Sequence, residues 1–128
     1  MKKVSFDFDG TLSRVDVQDY AKSLIERGIE VWIVTSRLHE KNADNLQWND
    51  DLYEVAEKLG IPKSQIHFMN YNIFMDDKSY WLKEHEFIWH LDDDFTEIKS
   101  IQRECKNTKG ISVFGNSTWK RKCDKLLK

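Results

Sequence analysis

A chain of 128 residues, 40% hydrophobic and 33% charged, with one proline and five glycines, has the length of one domain. That makeup excludes collagen-like, low-complexity and disordered classes, and no apolar run approaches the ~20 residues of a membrane span. The net charge of −2 is unevenly spread: residues 109–128 hold six Lys/Arg and one Asp, a net +5, against −7 for residues 1–108. Asp7 and Asp9 interrupt the apolar stretch that a secretion signal would need after the basic MKKV start. Cys105 and Cys123 form no CxxC pair, so a reduced, cytoplasmic protein is expected. His85 and His90 lie one residue too far apart for an HExxH zinc helix, and no GxGxxG, Walker A or GxSxG motif occurs.

Strands and helices alternate along the chain. Val4, Phe6 and Phe8 alternate in a first predicted strand over 3–8. Val17, Tyr20, Ala21, Leu24 and Ile25 then recur at helical spacing, closed by Gly28. EVWIV at 30–34 reads as a second strand. Leu52, Val55, Ala56 and Leu59 mark a helix that starts near Asn49 or Asp50 and stops at Gly60 and Pro62. A third strand is predicted at 66–69, an aromatic irregular stretch at 70–77, a short helix at 78–85 and a fourth strand at 87–91. Phe95, Ile98, Ile101 and Cys105 share a helical face, 111–114 reads as a fifth strand, and Trp119, Cys123, Leu126 and Leu127 suggest a terminal helix. This alternation, without linker or repeat, predicts one domain over 1–128. It is an α/β Rossmann-like three-layer sandwich around a mostly parallel five-stranded sheet. Sites in such folds form at the carboxyl ends of the strands.

Carboxylates and hydroxyls sit at those ends. Asp7 and Asp9 close the first strand before Gly10 and Thr11, and like charges so close are costly without a cation. DxDG also opens calcium loops, but the twelfth position here is Gln18 rather than Glu. Thr35 and Ser36 follow the second strand, where hydroxyls can meet phosphate oxygens or cap a helix. Asp92, Asp93 and Asp94 follow the fourth, either as a solvated loop or as oxygen ligands for a hard cation. Lys78 opens the helix before that strand.

DFDGT, a hydroxyl after strand two, a lysine before strand four and an acidic pair after it occur in the order of the haloacid dehalogenase superfamily, which nearly the whole chain resembles. The resemblance implies an Mg²⁺-dependent phosphomonoesterase working through an aspartyl-phosphate. Asp7 would be the nucleophile and Asp9 the general acid and base. Thr35, Ser36 and Lys78 would hold the phosphoryl group, with Lys83 a rival to Lys78. Asp7, the Asp9 main-chain carbonyl, Asp92 and Asp93 would hold the metal, with Asp94 outside the pair. The spacings leave no room for an inserted cap domain. A nucleotide or similar small phosphate is the expected substrate. The alternatives are a nucleic-acid end, reached through Lys120, Arg121 and Lys122 in the basic C-terminal segment, and a non-catalytic phosphate- or partner-binding module. Tyr71, Phe74, Tyr80 and Trp81 either stack on a substrate or pack beneath the loop, and Asp76 and Asp77 beside them would repel a polyanion.

Overall fold

The computed structural model describes residues 1–39, 48–69, 78–115 and 117–128. Among them, β1 (Lys3–Phe6), β2 (Glu30–Leu38), β3 (Ile66–Met69), β4 (Trp89–Asp92) and β5 (Lys109–Ser112) pair in the order β3-β2-β1-β4-β5. Every pairing is parallel. Parallel neighbours need long crossovers, and helices carried by those crossovers cover both faces of the sheet. The helices are α1 (Val15–Glu26), α2 (Asp50–Leu59), α3 (Lys78–Leu82), α4 (Phe95–Glu104) and α5 (Trp119–Leu126).

The two-residue period of a strand sorts the apolar side chains between two cores. Val31 and Ile33 of β2 join Val4, Phe6, Trp89 and Leu91 against α1, α2 and α5. Trp32 and Val34, their neighbours in sequence, face Leu82, Phe87, Ile101 and Cys105 under α3 and α4. The result is the expected three-layer α/β sandwich. Trp89 anchors the larger core. Its ring meets Phe6 edge-on at 5.3 Å and stacks on Tyr20 at 6.4 Å, and its Nε1 donates to the Cys123 carbonyl at 3.1 Å. Cys105 and Cys123 are both buried and not joined in a disulfide, and the Cys105 thiol donates to the Ser79 carbonyl at 3.5 Å.

Several boundaries differ from the sequence reading, each for a physical reason. β1 stops at Phe6, because Phe8 turns under the sheet edge and is buried there within a tight turn over Phe8–Leu12. β2 continues to Leu38, so Thr35 and Ser36 lie inside the strand rather than after it. The helix at Lys78 ends at Leu82, well before His85. β5 ends at Ser112, which leaves Phe114 64% exposed, and Phe95 is 57% exposed at the first position of α4 although Ile98 and Ile101 on that helix are buried. No helix among the described residues is long and apolar enough to cross a membrane.

The chain adds β2 and β3 on one side of β1, then returns to place β4 on the other. Strand order therefore reverses between β1 and β4. At such a switch point the flanking connections diverge and open a crevice at the carboxyl ends. Both acidic motifs end on it.

Trp89→Ala is expected to cost about 3–5 kcal/mol of stability, as removal of a fully buried aromatic does. Urea unfolding of the variant measures this, and a loss below about 1 kcal/mol would contradict the anchoring role.

Candidate active site at the crevice between the first and fourth strands

Register places the site. Ser5 lies opposite His90 and Phe6 opposite Leu91, and the Asp7 amide donates to the Leu91 carbonyl at 2.9 Å. Asp7 and Asp92 thus leave adjacent strands at the same level. Beyond Asp7 the chain turns sharply: Asp9 is extended and Gly10 is left-handed at φ 74°. A Cβ on Gly10 would stand 2.2 Å from an Asp93 carboxylate oxygen. Glycine is required there twice, for the backbone angle and for the space Asp93 occupies.

Lys78 reaches this crevice from the start of α3 and is 1% exposed. Its Nζ donates to Asp7 Oδ1 and to Asp92 Oδ2, each at 2.7 Å. Lys83, the rival, is exposed with its Nζ over the Tyr80 ring. Asp92 Oδ2 also meets His90 Nε2 at 2.8 Å, and His90 Nδ1 meets the Ser5 hydroxyl at 2.8 Å. One neutral tautomer satisfies both contacts: Nε2–H donates to Asp92, and Nδ1 accepts from Ser5. Burial holds the His90 pKa below its ordinary value against the pull of Asp92.

The three acidic residues after β4 have separate tasks. Asp92 is fully buried, and its Oδ1 accepts from the Asp94 amide at 3.1 Å. Asp94 caps α4, its Oδ1 accepting from the Thr96 amide at 2.8 Å. Asp93 turns toward Asp7, and oxygens of Asp7, Asp92 and Asp93 gather within 4.8 Å of one another. Lys78, His90 and the Asp94 amide occupy most of the acceptor sites on Asp92, so Asp7 and Asp93 are the carboxylates with room for a cation.

The charge is not balanced by protein alone. Three carboxylates face one buried ammonium, which would leave two negative charges in excess were all three ionised. Burial opposes ionisation of Asp92, but hydrogen bonds from His90 and Lys78 and the ammonium charge of Lys78 hold its pKa well below the ordinary range. Asp7 carries the strain. Burial pushes it up to about 8, with Lys78 pulling the other way and Asp92 adding to the rise. An all-oxygen donor set with two surplus charges fits a hard divalent cation.

Asp9 does not join this cluster. Its carboxylate is mostly exposed and receives two hydrogen bonds from Arg37, at 2.8 and 3.0 Å. The same guanidinium donates twice to Asp51 at the start of α2 and lies over the Phe8 ring at 4.9 Å. Asp9 still lines the same opening of about 520 Å³ as Asp7 and Lys78, and Ser36 lines it too. Thr35 is buried, its hydroxyl oxygen accepting from the Arg37 amide at 3.1 Å. Of the expected hydroxyl pair, the one facing the opening is Ser36.

Trp81 packs rather than facing the opening. It is stacked between His67 and His85, with ring centroids 4.1 and 4.0 Å apart. Tyr71, Phe74, Asp76 and Asp77 lie outside the described residues. The sequence reading missed Ser5, His90, Arg37 and Asp51. A signal for the first two was present: Ser5 and His90 each stand two residues before a site aspartate, which is the same strand face. Arg37 and Asp51 are 14 residues apart in sequence, and no local pattern links them.

Comparison with known proteins finds no matching family model and no matching curated protein.

The Asp7 shift has a consequence for stability. The carboxyl loses its proton near 3.8 at its ordinary value but near 8 in the metal-free fold. Between those values the folded state holds the extra proton, so stability falls as pH rises. Neutral His90 acts in the opposite sense below its ordinary 6.5, so the Asp7 effect stands alone from about 6.5 to 8. Urea midpoints measured in EDTA are therefore expected to fall across pH 6.5–8. The fall should vanish in Asp7→Asn. A rise across that window, or a fall that survives Asp7→Asn, contradicts the assignment.

Proposed function

We propose that this protein is a divalent-metal-dependent phosphomonoesterase of the haloacid dehalogenase type, using Mg²⁺, with Asp7 as its nucleophile and a small phosphorylated molecule such as a nucleotide as its substrate. The observation that carries the proposal is the buried Asp7–Lys78–Asp92 bridge with Asp93 beside it, at the crevice where strand order reverses. The convergence of Asp7, Lys78, Asp92 and Asp93 at this crevice supports the reading that the motif resemblance suggests. The cluster fits Mg²⁺ because its donors are all carboxylate oxygens with charge to spare. Asp7 and Asp93 would hold the ion. Bound there, it would supply positive charge against both the nucleophile and the phosphoryl oxygens.

The chain's own residues account for the rest. Lys78 opposes the burial that protonates Asp7 and so favours the carboxylate that attacks. An Asp7 oxygen bonds to phosphorus while the bond to the ester oxygen breaks, leaving an acyl-phosphate on Asp7. Asp9 gives a proton to the departing oxygen, then takes one from the water that attacks phosphorus, which releases phosphate and restores Asp7. Arg37 holds the Asp9 carboxylate with two hydrogen bonds and so orients it for both proton transfers. Ser36, at the opening, donates to a phosphoryl oxygen.

Purified protein is expected to hydrolyse p-nitrophenyl phosphate with added Mg²⁺ and not in EDTA. Asp7→Asn should lower the rate at least about a thousandfold, as loss of a covalent nucleophile does. An Asp7→Asn variant that keeps its rate after contaminating phosphatase is excluded would contradict the covalent mechanism.

A further inference from the structure

The opening over Asp7 and Lys78 has an aromatic wall that the phosphoryl chemistry does not use. Phe95 and Phe114 both line it, and they are 57% and 64% exposed. They stand together for a topological reason. Asp92 is in register with Ser112, so the chain leaves β4 and β5 at the same level of the sheet edge, three residues before Phe95 and two before Phe114. Neither ring serves the core. Phe6 and Trp89, on strands that flank the crevice, are fully buried, whereas Phe95 breaks from the buried face of its own helix. More than half of each ring stays in contact with water, so the fold draws little burial from either side chain.

We propose that Phe95 and Phe114 form a stacking wall for the base of a mononucleotide whose phosphate sits at Asp7. The inference rests on the proposed phosphoester chemistry only for the position of the phosphate. Phenyl faces offer a flat apolar surface that stacks any base without hydrogen-bond readout. The opening, at about 520 Å³, lies within the range of small-ligand pockets. Charge selects a free nucleotide over a strand end. Asp94 and Glu97 line the same opening beside Phe95 and would repel a second phosphate. The cationic side chains of α5 do not reach it. Lys120, Arg121 and Lys125 line a different groove of about 800 Å³, shared with Asp16 and Asp124. None of the cationic side chains of that groove lines the opening with the aromatic wall.

The test compares three substrates with Mg²⁺: adenosine 5′-monophosphate, ribose 5-phosphate, and a 5′-phosphorylated oligonucleotide. Wild-type protein is expected to show the highest kcat/KM on the mononucleotide. The ratio of its kcat/KM to that of ribose 5-phosphate should drop about tenfold in Phe95→Ala and in Phe114→Ala, and return in Phe95→Tyr and Phe114→Tyr. A ratio unchanged by either alanine, or a preference for the oligonucleotide, overturns the proposal. Saturation-transfer NMR with adenosine 5′-monophosphate separates this result from the phosphatase reading. Base protons saturated in wild type and lost in both alanine variants support the wall even where nothing is hydrolysed. Hydrolysis of all three substrates with no saturation of the base protons refutes the wall and leaves the phosphatase reading standing.

Discussion

One buried ammonium between two buried carboxylates organises the crevice end of this protein. Charges out of water are tolerated only when paired with good geometry and further hydrogen bonds. Lys78 makes contacts of 2.7 Å to Asp7 and to Asp92, and the back of Asp92 is closed by His90 and then Ser5. Everything in that chain depends on register. Ser5 lies opposite His90, and two residues further along each strand stand the aspartates that Lys78 joins. A one-residue slip between β1 and β4 would turn every one of these groups to the wrong face. The buried polar line therefore ties correct strand pairing to an assembled site.

The excess of acid over base has a local meaning. The body of the chain is net −7, and part of that charge converges where strand order reverses. The site carboxylates differ in environment, and so in task. Asp92 is satisfied by His90, Lys78 and the Asp94 amide and stays charged. Asp7 is pushed toward its neutral form by burial. Asp93 lies in the space left by the missing side chain of Gly10. Asp9 stays in the open, oriented by Arg37. Under the proposed function, these different environments would let neighbouring carboxylates serve one as nucleophile and the other as proton carrier. The basic end of the chain belongs to a separate groove between α1 and α5, where Asp124 also binds Arg27 and Tyr20.

Much of this was legible in the sequence, for reasons that also mark where legibility stops. The apolar runs and helical faces revealed the sheet and its helices, because burial on both faces leaves unbroken strands. Asp7, Asp92 and Lys78 were readable as ends of elements. Thr35 and Ser36 were placed one step wrong, because β2 runs on past the apolar stretch to pair with β3 at Met69, across an irregular register. Phe95 fits the spacing of Ile98 and Ile101 but sits before the helix meets the sheet, so periodicity assigned it to the core and geometry left it outside. His90 needed its cross-strand partner, and Arg37 needed Asp51 from a distant helix. Neither relation is local in sequence.

Under the proposed function, Asp7 and Asp93, with Lys78 and Asp92 behind them, would form a divalent-cation site. Anomalous diffraction from a crystal soaked in Mn²⁺ tests this most directly. One strong peak is expected between the Asp7 and Asp93 carboxylates, and none in a Gly10→Ala crystal where the added methyl displaces Asp93. No peak at that position in wild-type crystals, or a peak that persists unchanged in Gly10→Ala, would contradict it.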